Sequence, residues 1–184
     1  AGLTDAEQKR FPQLQLLTAK PVLYVCNVAE SDSSTGNDYS RKVAEMAAAQ
    51  KAGHVVVSAA IEAEISQLDA DDKGEFLAEL GLAEAGLARL IRAGYDLLDL
   101  LTFFTVGPKE ARAWTVASGA TAPQAAGVIH TDFQRGFIRA ETISFDDYVV
   151  CKGEAGAKDA GKFRVEGADY KVIDGDVFDF RFNV

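Results

Sequence analysis

The sequence predicts two folded units: an α/β unit over residues 1–100 and an α+β unit of the β-grasp kind over residues 101–184. Two short apolar runs, VLYVC at 22–26 and VVV at 55–57, flank a helical stretch, and this order is typical of a parallel βαβ unit. From residue 101 the chain changes to β-type runs separated by turn residues. A chain of 184 residues is long enough to bury a substantial core in either unit.

The first unit is expected to open with a helix over 4–17, followed by a buried strand at 21–26. Asn37 or Asp38 can cap a helix over 38–51, whose apolar face is predicted from the spacing of its hydrophobic residues and whose end is predicted at Gly53. The members of that face are Tyr39, Val43, Met46 and Ala47. The second strand is predicted over 54–58, HVVVS.

Helices are predicted to fill the rest of this unit. Ile61 and Ile65 mark the first, and the acidic stretch LDADDKGE at 68–75 is expected to break the pattern as a loop. Two more helices follow, and the last is expected to connect the units and to reach Leu101.

The second unit is expected to begin with a hairpin, LTFFTV and ARAWTV joined by GPKE. Thr121 can cap a short helix that has Pro123 in its first turn. FIRAETI predicts the next strand, FDDYVVC and EAGAKDA predict short helices, and FRVEG, DYKVI and VFDFRFNV predict three final strands. In the last strand Phe178, Phe180 and Phe182 alternate with polar residues, so one of its faces should be buried.

The charge of −9 works against long-range attraction to nucleic acid, so any RNA contact must depend on a local basic patch.

The sequence has no apolar run long enough to span a membrane and no apolar signal core, which favours a cytoplasmic protein. Cys26 and Cys151 are far apart and form no CxxC pair, so both are expected to be reduced thiols.

Polar residues follow both predicted parallel strands, where open α/β sheets bind their ligands. Asn27 and Glu30 follow the first strand with the N-x-x-acid spacing by which P-loop GTPases read a base. Ser58-Ala59-Ala60 follows the second strand and matches the companion loop of that motif. The pair of motifs predicts a nucleotide-base site, although a plain strand followed by a polar turn remains the alternative. Its predicted residues are Asn27, Val28, Glu30, Ser58, Ala59 and Ala60.

The phosphate-binding half of such a site is missing from the sequence. No G-x-x-x-x-G-K-[ST] occurs, so no loop is present to cradle phosphates or to place a Mg²⁺ ligand. The D-x-x-G at 71–74 follows no apolar strand and is interpreted as chance. His54 and His130 have no partners at metal-ligand or triad spacing, so neither a metal site nor a catalytic residue is predicted.

A basic and aromatic cluster in the second unit is a candidate RNA or ribosome contact. Its predicted residues are Arg112, Arg135 and Arg139, with Trp114 and Phe133 nearby in sequence. An ordinary solvated surface would give the same composition.

Four segments together resemble the YchF family, the Obg-like ATPases: LLTAKPVLYVCNVAE, VVVSAAIEAEI, APQAAGVIHTDFQRGFIRAE and GDVFDFRFNV. The resemblance covers essentially the whole chain, and the block at 122–141 is its most specific part. It implies that residues 1–100 are the C-terminal part of a P-loop nucleotide-binding domain, with the end of a coiled-coil insertion at 1–18. It also implies that residues 101–184 are a TGS domain, a ubiquitin-like β-grasp module.

The resemblance further implies an enzyme that hydrolyses ATP in preference to GTP, requires Mg²⁺ and associates with ribosomes. Asn27-Val28-Ala29-Glu30 stands where guanine-specific relatives carry N-K-x-D. The P-loop and switch regions of the family would precede Ala1, so the chain alone is expected neither to hydrolyse ATP nor to hold nucleotide or Mg²⁺ tightly. The alternative is an RNA- or ribosome-binding TGS module with no nucleotide role of its own.

Overall fold

The computed structural model describes residues 4–183 and divides the chain between Leu98 and Asp99. The division predicted from the sequence lay after residue 100, whereas Leu100 is the first residue of a strand of the second unit. The structure does not describe Ala1–Leu3 or Val184. The start of the predicted 1–18 segment and the last residue of GDVFDFRFNV therefore lie outside the described residues. None of the helices in this part of the chain combines the length and the hydropathy needed to cross a bilayer.

The first unit contains a parallel pair of strands and five helices among its described residues: α1 (Asp5–Arg10), β1 (Leu23–Asn27), α2 (Asp38–Gln50), β2 (Gly53–Val57), α3 (Ala59–Ile65), α4 (Ala70–Glu79) and α5 (Gly86–Leu97). Short 3-10 helices cover Phe11–Leu14, Leu17–Ala19 and Glu30–Asp32. β1 and β2 pair in parallel from Leu23 opposite Gly53 to Asn27 opposite Val57. The predicted βαβ unit is therefore confirmed.

Helix α2 begins where the sequence predicts, because the Asn37 side chain accepts hydrogen bonds from the backbone N–H groups of Tyr39 and Ser40. Two expectations about this helix are wrong. Tyr39 is 78% exposed and Met46 is 41% exposed, so neither belongs to a buried face. The helix ends at Gln50 and is capped by Lys51, which adopts a left-handed conformation with φ of 56°, whereas Gly53 already belongs to β2.

The acidic stretch at 68–75 is not a loop, as the sequence suggested, but leads into α4. Asp69 occupies the N-cap position, and Asp71 and Asp72 lie in the first turn. Carboxylates at these positions interact favourably with the positive end of the helix dipole, so the acidic run starts a helix here. The small core of this unit joins Ile61, Ile65 and Leu82.

The second unit packs helix α6 against a five-stranded sheet. Its elements are β3 (Leu100–Val106), β4 (Ala111–Ala117), α6 (Ala122–Ile129), α7 (Thr131–Arg135), β5 (Phe137–Ser144), α8 (Phe145–Val150), α9 (Glu154–Asp159), β6 (Arg164–Glu166) and β7 (Asp176–Phe182). The strand order is β4-β3-β7-β5-β6, with β3 and β7 parallel and every other pair antiparallel. Ala122 and Ala126 of α6 share one buried cluster with Phe103, Phe178 and Phe180. The expected α+β arrangement is confirmed.

Details of this unit both confirm and correct the sequence analysis. The hairpin forms at the predicted turn, where the N–H of Gly107 donates to the C=O of Glu110. DYKVI is not a strand, since only an isolated bridge joins Lys171 to Thr121. Phe182 is 38% exposed rather than buried, and its ring stacks on Phe133 of α7 at a centroid distance of 3.8 Å.

Candidate nucleotide-base site and basic surface

The carboxyl ends of β1 and β2 lie side by side in the first unit. Asn27 is opposite Val57 in the parallel ladder, and the N–H of Val28 extends the ladder by donating to the C=O of Val57 at 2.9 Å. Both predicted base-reading segments therefore leave the sheet at the same edge. This is the arrangement that open α/β sheets use for ligands.

Asn27 connects the two segments directly. Its Oδ1 accepts a hydrogen bond from the backbone N–H of Ala59 at 3.0 Å, across 32 positions of sequence. With the oxygen engaged and the side chain exposed, the two N–H donors of the Asn27 amide remain available to a ligand. A purine presents ring-nitrogen acceptors to such donors, so the amide fits a base.

The other predicted residues surround this contact in different ways. Glu30 begins the 3-10 helix after β1 and is exposed, so its carboxylate is accessible to an amine donor. Val28 is half-buried, and Ala59 and Ala60 are exposed in the first turn of α3. Their exposure leaves the backbone of this turn open on the same edge as Asn27.

Ser58 differs from its neighbours because its side chain is buried. The residue is 2% exposed, and its Oγ has no hydrogen-bond partner among the described residues. Ser58 occupies the N-cap position of α3 but makes no side-chain cap bond. The hydroxyl is therefore not placed to contact a ligand, and any contribution of Ser58 to a base site must come from its backbone.

Two residues that the sequence analysis missed hold this edge together. The carboxylate of Glu62 accepts hydrogen bonds from the N–H groups of Gly86 at 2.6 Å and Leu87 at 3.2 Å, which caps the start of α5. Arg89 of α5 donates to the C=O of Val56 in β2 at 3.0 Å. These partners are 24 and 33 positions apart, a separation at which periodicity and local motifs carry no signal.

The three predicted RNA-contact arginines differ in whether their charge is already paired. Arg135 forms an ion pair with Asp132 one turn earlier in α7. Arg139 contacts Glu141 at 3.0 Å. The guanidinium of Arg112 instead lies over the ring of Trp114 at 4.2 Å, and none of the ion pairs found within residues 4–183 includes it.

The carboxylate of Glu141 in the second unit has a strongly lowered pKa. It is 8% exposed and contacts Arg181 at 2.8 Å as well as Arg139. Hydrogen bonds from Arg181 chiefly, and from Arg139, lower the pKa of Glu141 from 4.5 to about 2 against the opposing effect of burial. Glu141 therefore pairs with two arginines of the sheet, and Arg181 also pairs with Asp179 at 2.9 Å.

His130 and the acidic residues form no metal centre in the described part of the chain. The Nδ1 of His130 accepts from the N–H of Asp132 and caps α7, so this histidine has a structural contact. No group of three or more His, Cys, Asp or Glu side chains within residues 4–183 is arranged to hold a metal ion.

Comparison with known proteins gives the family. The YchF-GTPase_C family model, described as a protein of unknown function, matches residues 100–183. The ribosome-binding ATPase YchF of Escherichia coli O157:H7 is 56% identical over 182 residues, which are 99% of this chain and 50% of that protein. The chain belongs to the YchF family. The protein of the same name from Bacillus subtilis strain 168 is 52% identical over 183 residues, 98% of this chain and 50% of its own length.

Solved structures agree with this family membership. The chain matches the Schizosaccharomyces pombe YchF GTPase with a TM-score of 0.81 and 32% identity, covering 98% of this chain and 48% of that one. A GTP binding protein from Pyrococcus horikoshii OT3 shares the fold, with a TM-score of 0.60 and 19% identity over 89% of this chain and 46% of that one. The chain thus spans about half the length of the relatives it matches. The resemblance read from the four sequence segments is confirmed.

Proposed function

We propose that this chain supplies base recognition and a TGS-type β-grasp module to an ATP-preferring, ribosome-associated NTPase of the YchF family. The hydrogen bond from the Ala59 N–H to the Asn27 Oδ1 is the observation that carries the proposal. It fixes the amide at the strand end through its oxygen and leaves its N–H donors available, which is the preorganisation that a base-reading group requires. The names of the relatives support the ATPase and ribosome parts.

In this proposal the Asn27 amide donates a hydrogen bond to a ring nitrogen of the base. The Glu30 carboxylate helps to select the base by accepting from its amine. Adenine offers an N6 amine to a carboxylate, whereas guanine offers both N1–H and N2–H₂ donors. The backbone of Ser58, Ala59 and Ala60 closes over the edge of the base. Phosphate and Mg²⁺ contacts would have to come from polypeptide other than the described residues, so no catalytic step is assigned to this chain. The compartment that fits such a protein is the cytoplasm.

The test is a nucleotide titration with and without a phosphate-binding half. The 184-residue chain and a chimera joining it to the N-terminal half of the E. coli relative are titrated with ATP and GTP by calorimetry, and Mg²⁺-dependent hydrolysis is measured. The chain alone should hydrolyse no ATP, and the chimera should prefer ATP. In the chimera, Asn27→Ala should weaken ATP binding by about 1–3 kcal/mol, the usual effect of leaving a polar partner unmatched.

Asn37→Ala is the matched control, since it removes an asparagine amide whose contacts are those of a helix cap in the same unit. ATP affinity should not change in this variant. Mg²⁺-dependent turnover by the chain alone, or equal ATP affinity of the Asn27→Ala and unmodified chimeras, would refute the proposal.

Arg112 supports a second candidate function, an RNA- or ribosome-binding module. No carboxylate among residues 4–183 forms an ion pair with Arg112, and its guanidinium stacks on an aromatic ring, which suits a nucleic-acid contact. Ribosome co-sedimentation should weaken as salt rises and weaken further in Arg112→Gln. Arg139→Gln is the control, because Arg139 is already paired with Glu141.

A further inference from the structure

Strand β4 forms one edge of the five-stranded sheet, with β3 on one side and no other strand of the described residues on its opposite side. The hydrogen bonds at both ends of the β3–β4 hairpin fix which backbone groups remain unused. The N–H of Gly107 donates to Glu110 C=O, and the N–H of Ser118 donates to Asp99 C=O. In an antiparallel ladder such bonded pairs alternate with pairs that face away from each other.

The even-numbered residues of β4 therefore bond to β3, and the odd-numbered residues direct their backbone groups outward. Ala111 and Ala113 are two of these, opposite Val106 and Phe104 in the ladder. Both alanines are exposed. Their N–H and C=O groups form a short template for one more strand.

A hollow of about 430 Å³ lies beside these two alanines. Its apolar lining includes Phe104, Phe145 and Val149, and the last two are 48% and 57% exposed. Phe104 alternates along β3 with the core residue Phe103, so the hollow is on the sheet face opposite α6. The alanine side chains are too small to fill it, which leaves room for larger apolar side chains from another chain.

Arg112 lies between the two alanines in β4 and also borders the hollow. Strand alternation directs its side chain to the opposite face from theirs, where its guanidinium lies over the ring of Trp114. An added strand would place one residue directly opposite Arg112 in a pair without backbone hydrogen bonds. Side chains approach most closely in such pairs. A carboxylate at that position would give the Arg112 guanidinium an ionic partner.

We propose that the β4 edge binds an extended peptide segment of a partner protein, with an apolar–acidic–apolar pattern, by antiparallel strand addition. Its two apolar side chains enter the hollow beside Ala111 and Ala113, and its acidic side chain pairs with Arg112. Main-chain hydrogen bonds give such complexes their affinity, and alternate side chains give them specificity. Nucleic acid fits this edge less well, because the hollow is apolar and the chain carries a net charge of −9.

The probe is a fluorescein-labelled peptide with a Val-Asp-Val core between Gly-Ser flanks, titrated with the 184-residue chain by fluorescence anisotropy. Binding should be saturable, and the amides of Ala111 and Ala113 should gain protection from hydrogen exchange. Ala113→Pro removes an outward N–H without touching the ladder to β3, and should weaken binding about tenfold. Ala117→Pro is the matched control, since it removes an outward N–H beyond the three-residue core and should leave the affinity unchanged.

A charge exchange keeps the test independent of how well the proline variants fold. Arg112→Glu should weaken binding of the Val-Asp-Val peptide about tenfold and restore binding to a Val-Lys-Val peptide. Four results would overturn the proposal. They are no saturable peptide binding, binding by Ala113→Pro and Arg112→Glu that is as tight as binding by the parent chain, RNA binding through Arg112 without peptide binding, and a dimer in sedimentation that Ala113→Pro dissociates.

Discussion

Replacing Glu141 by Gln should make the second unit less stable at neutral pH and should remove part of its sensitivity to acid. Arg181 and Arg139 hold the pKa of Glu141 at about 2 instead of 4.5. At full strength this difference corresponds to about 3 kcal/mol. Both guanidiniums are half-exposed, so solvent screening reduces the expected contribution to about 1–2 kcal/mol.

The direction of the pH effect follows from the lowered pKa. A carboxyl whose folded-state pKa lies below its unfolded value stabilises the fold above pH 4.5, and this contribution is lost as the pH falls toward 2. At pH 7 the Glu141→Gln variant should be less stable than the parent by about 1–2 kcal/mol. At a pH near 2 the two proteins should converge, because the carboxyl is then becoming neutral in the parent as well.

Urea unfolding followed by Trp114 fluorescence measures this difference, since the chain has a single tryptophan and it lies in the second unit. The titrations are run at several pH values between 7 and the acid limit. Glu154→Gln is the control: its ion pair with Lys158 is exposed, so its effect should stay below about 0.5 kcal/mol. Equal loss of stability by parent and Glu141→Gln over the acid range would refute the reasoning.

Three further predictions concern side chains within the first or the second unit. Asn37→Ala should destabilise the chain by about 1 kcal/mol, because the start of α2 loses its cap. Ser58→Ala should be neutral or slightly stabilising, because the buried hydroxyl has no hydrogen-bond partner among the described residues. Thermal denaturation followed by circular dichroism measures both effects, and the opposite order of stability would contradict this prediction. Phe103→Ala, at a side chain with no exposed surface, should cost about 3–5 kcal/mol in urea unfolding, and a loss below about 1 kcal/mol would show that it is not central to the core. Burial and the hydrogen bond to Asp176 raise the pKa of Tyr170 to about 12, so an absorbance titration of Tyr170→Phe should lack the transition that the parent shows near pH 12. An unchanged transition at that pH would contradict the assignment.

Local signals in the sequence were sufficient for much of the fold. Apolar runs fixed the positions of β1 and β2, and the polar cap Asn37 fixed the start of α2. The turn GPKE fixed the β3–β4 hairpin. These elements depend on residues within a few positions of one another, so their pattern is visible without coordinates. The acidic residues at the start of α4 are compatible with either a loop or a helix N-terminus, and the loop predicted from the sequence was wrong.

For the candidate base site, too, the sequence predicted one part and the structure showed another. The order strand, helix, strand already required Asn27 and Ala59 to leave the sheet at one edge, because a parallel pair aligns its carboxyl ends. Only the tertiary structure showed that the Asn27 oxygen is engaged by the Ala59 N–H, that the Ser58 hydroxyl is buried, and that Arg112 has no ionic partner in the described part of the chain. Burial and pairing of this kind arise between segments tens of residues apart, where chain geometry rather than local composition decides which groups meet.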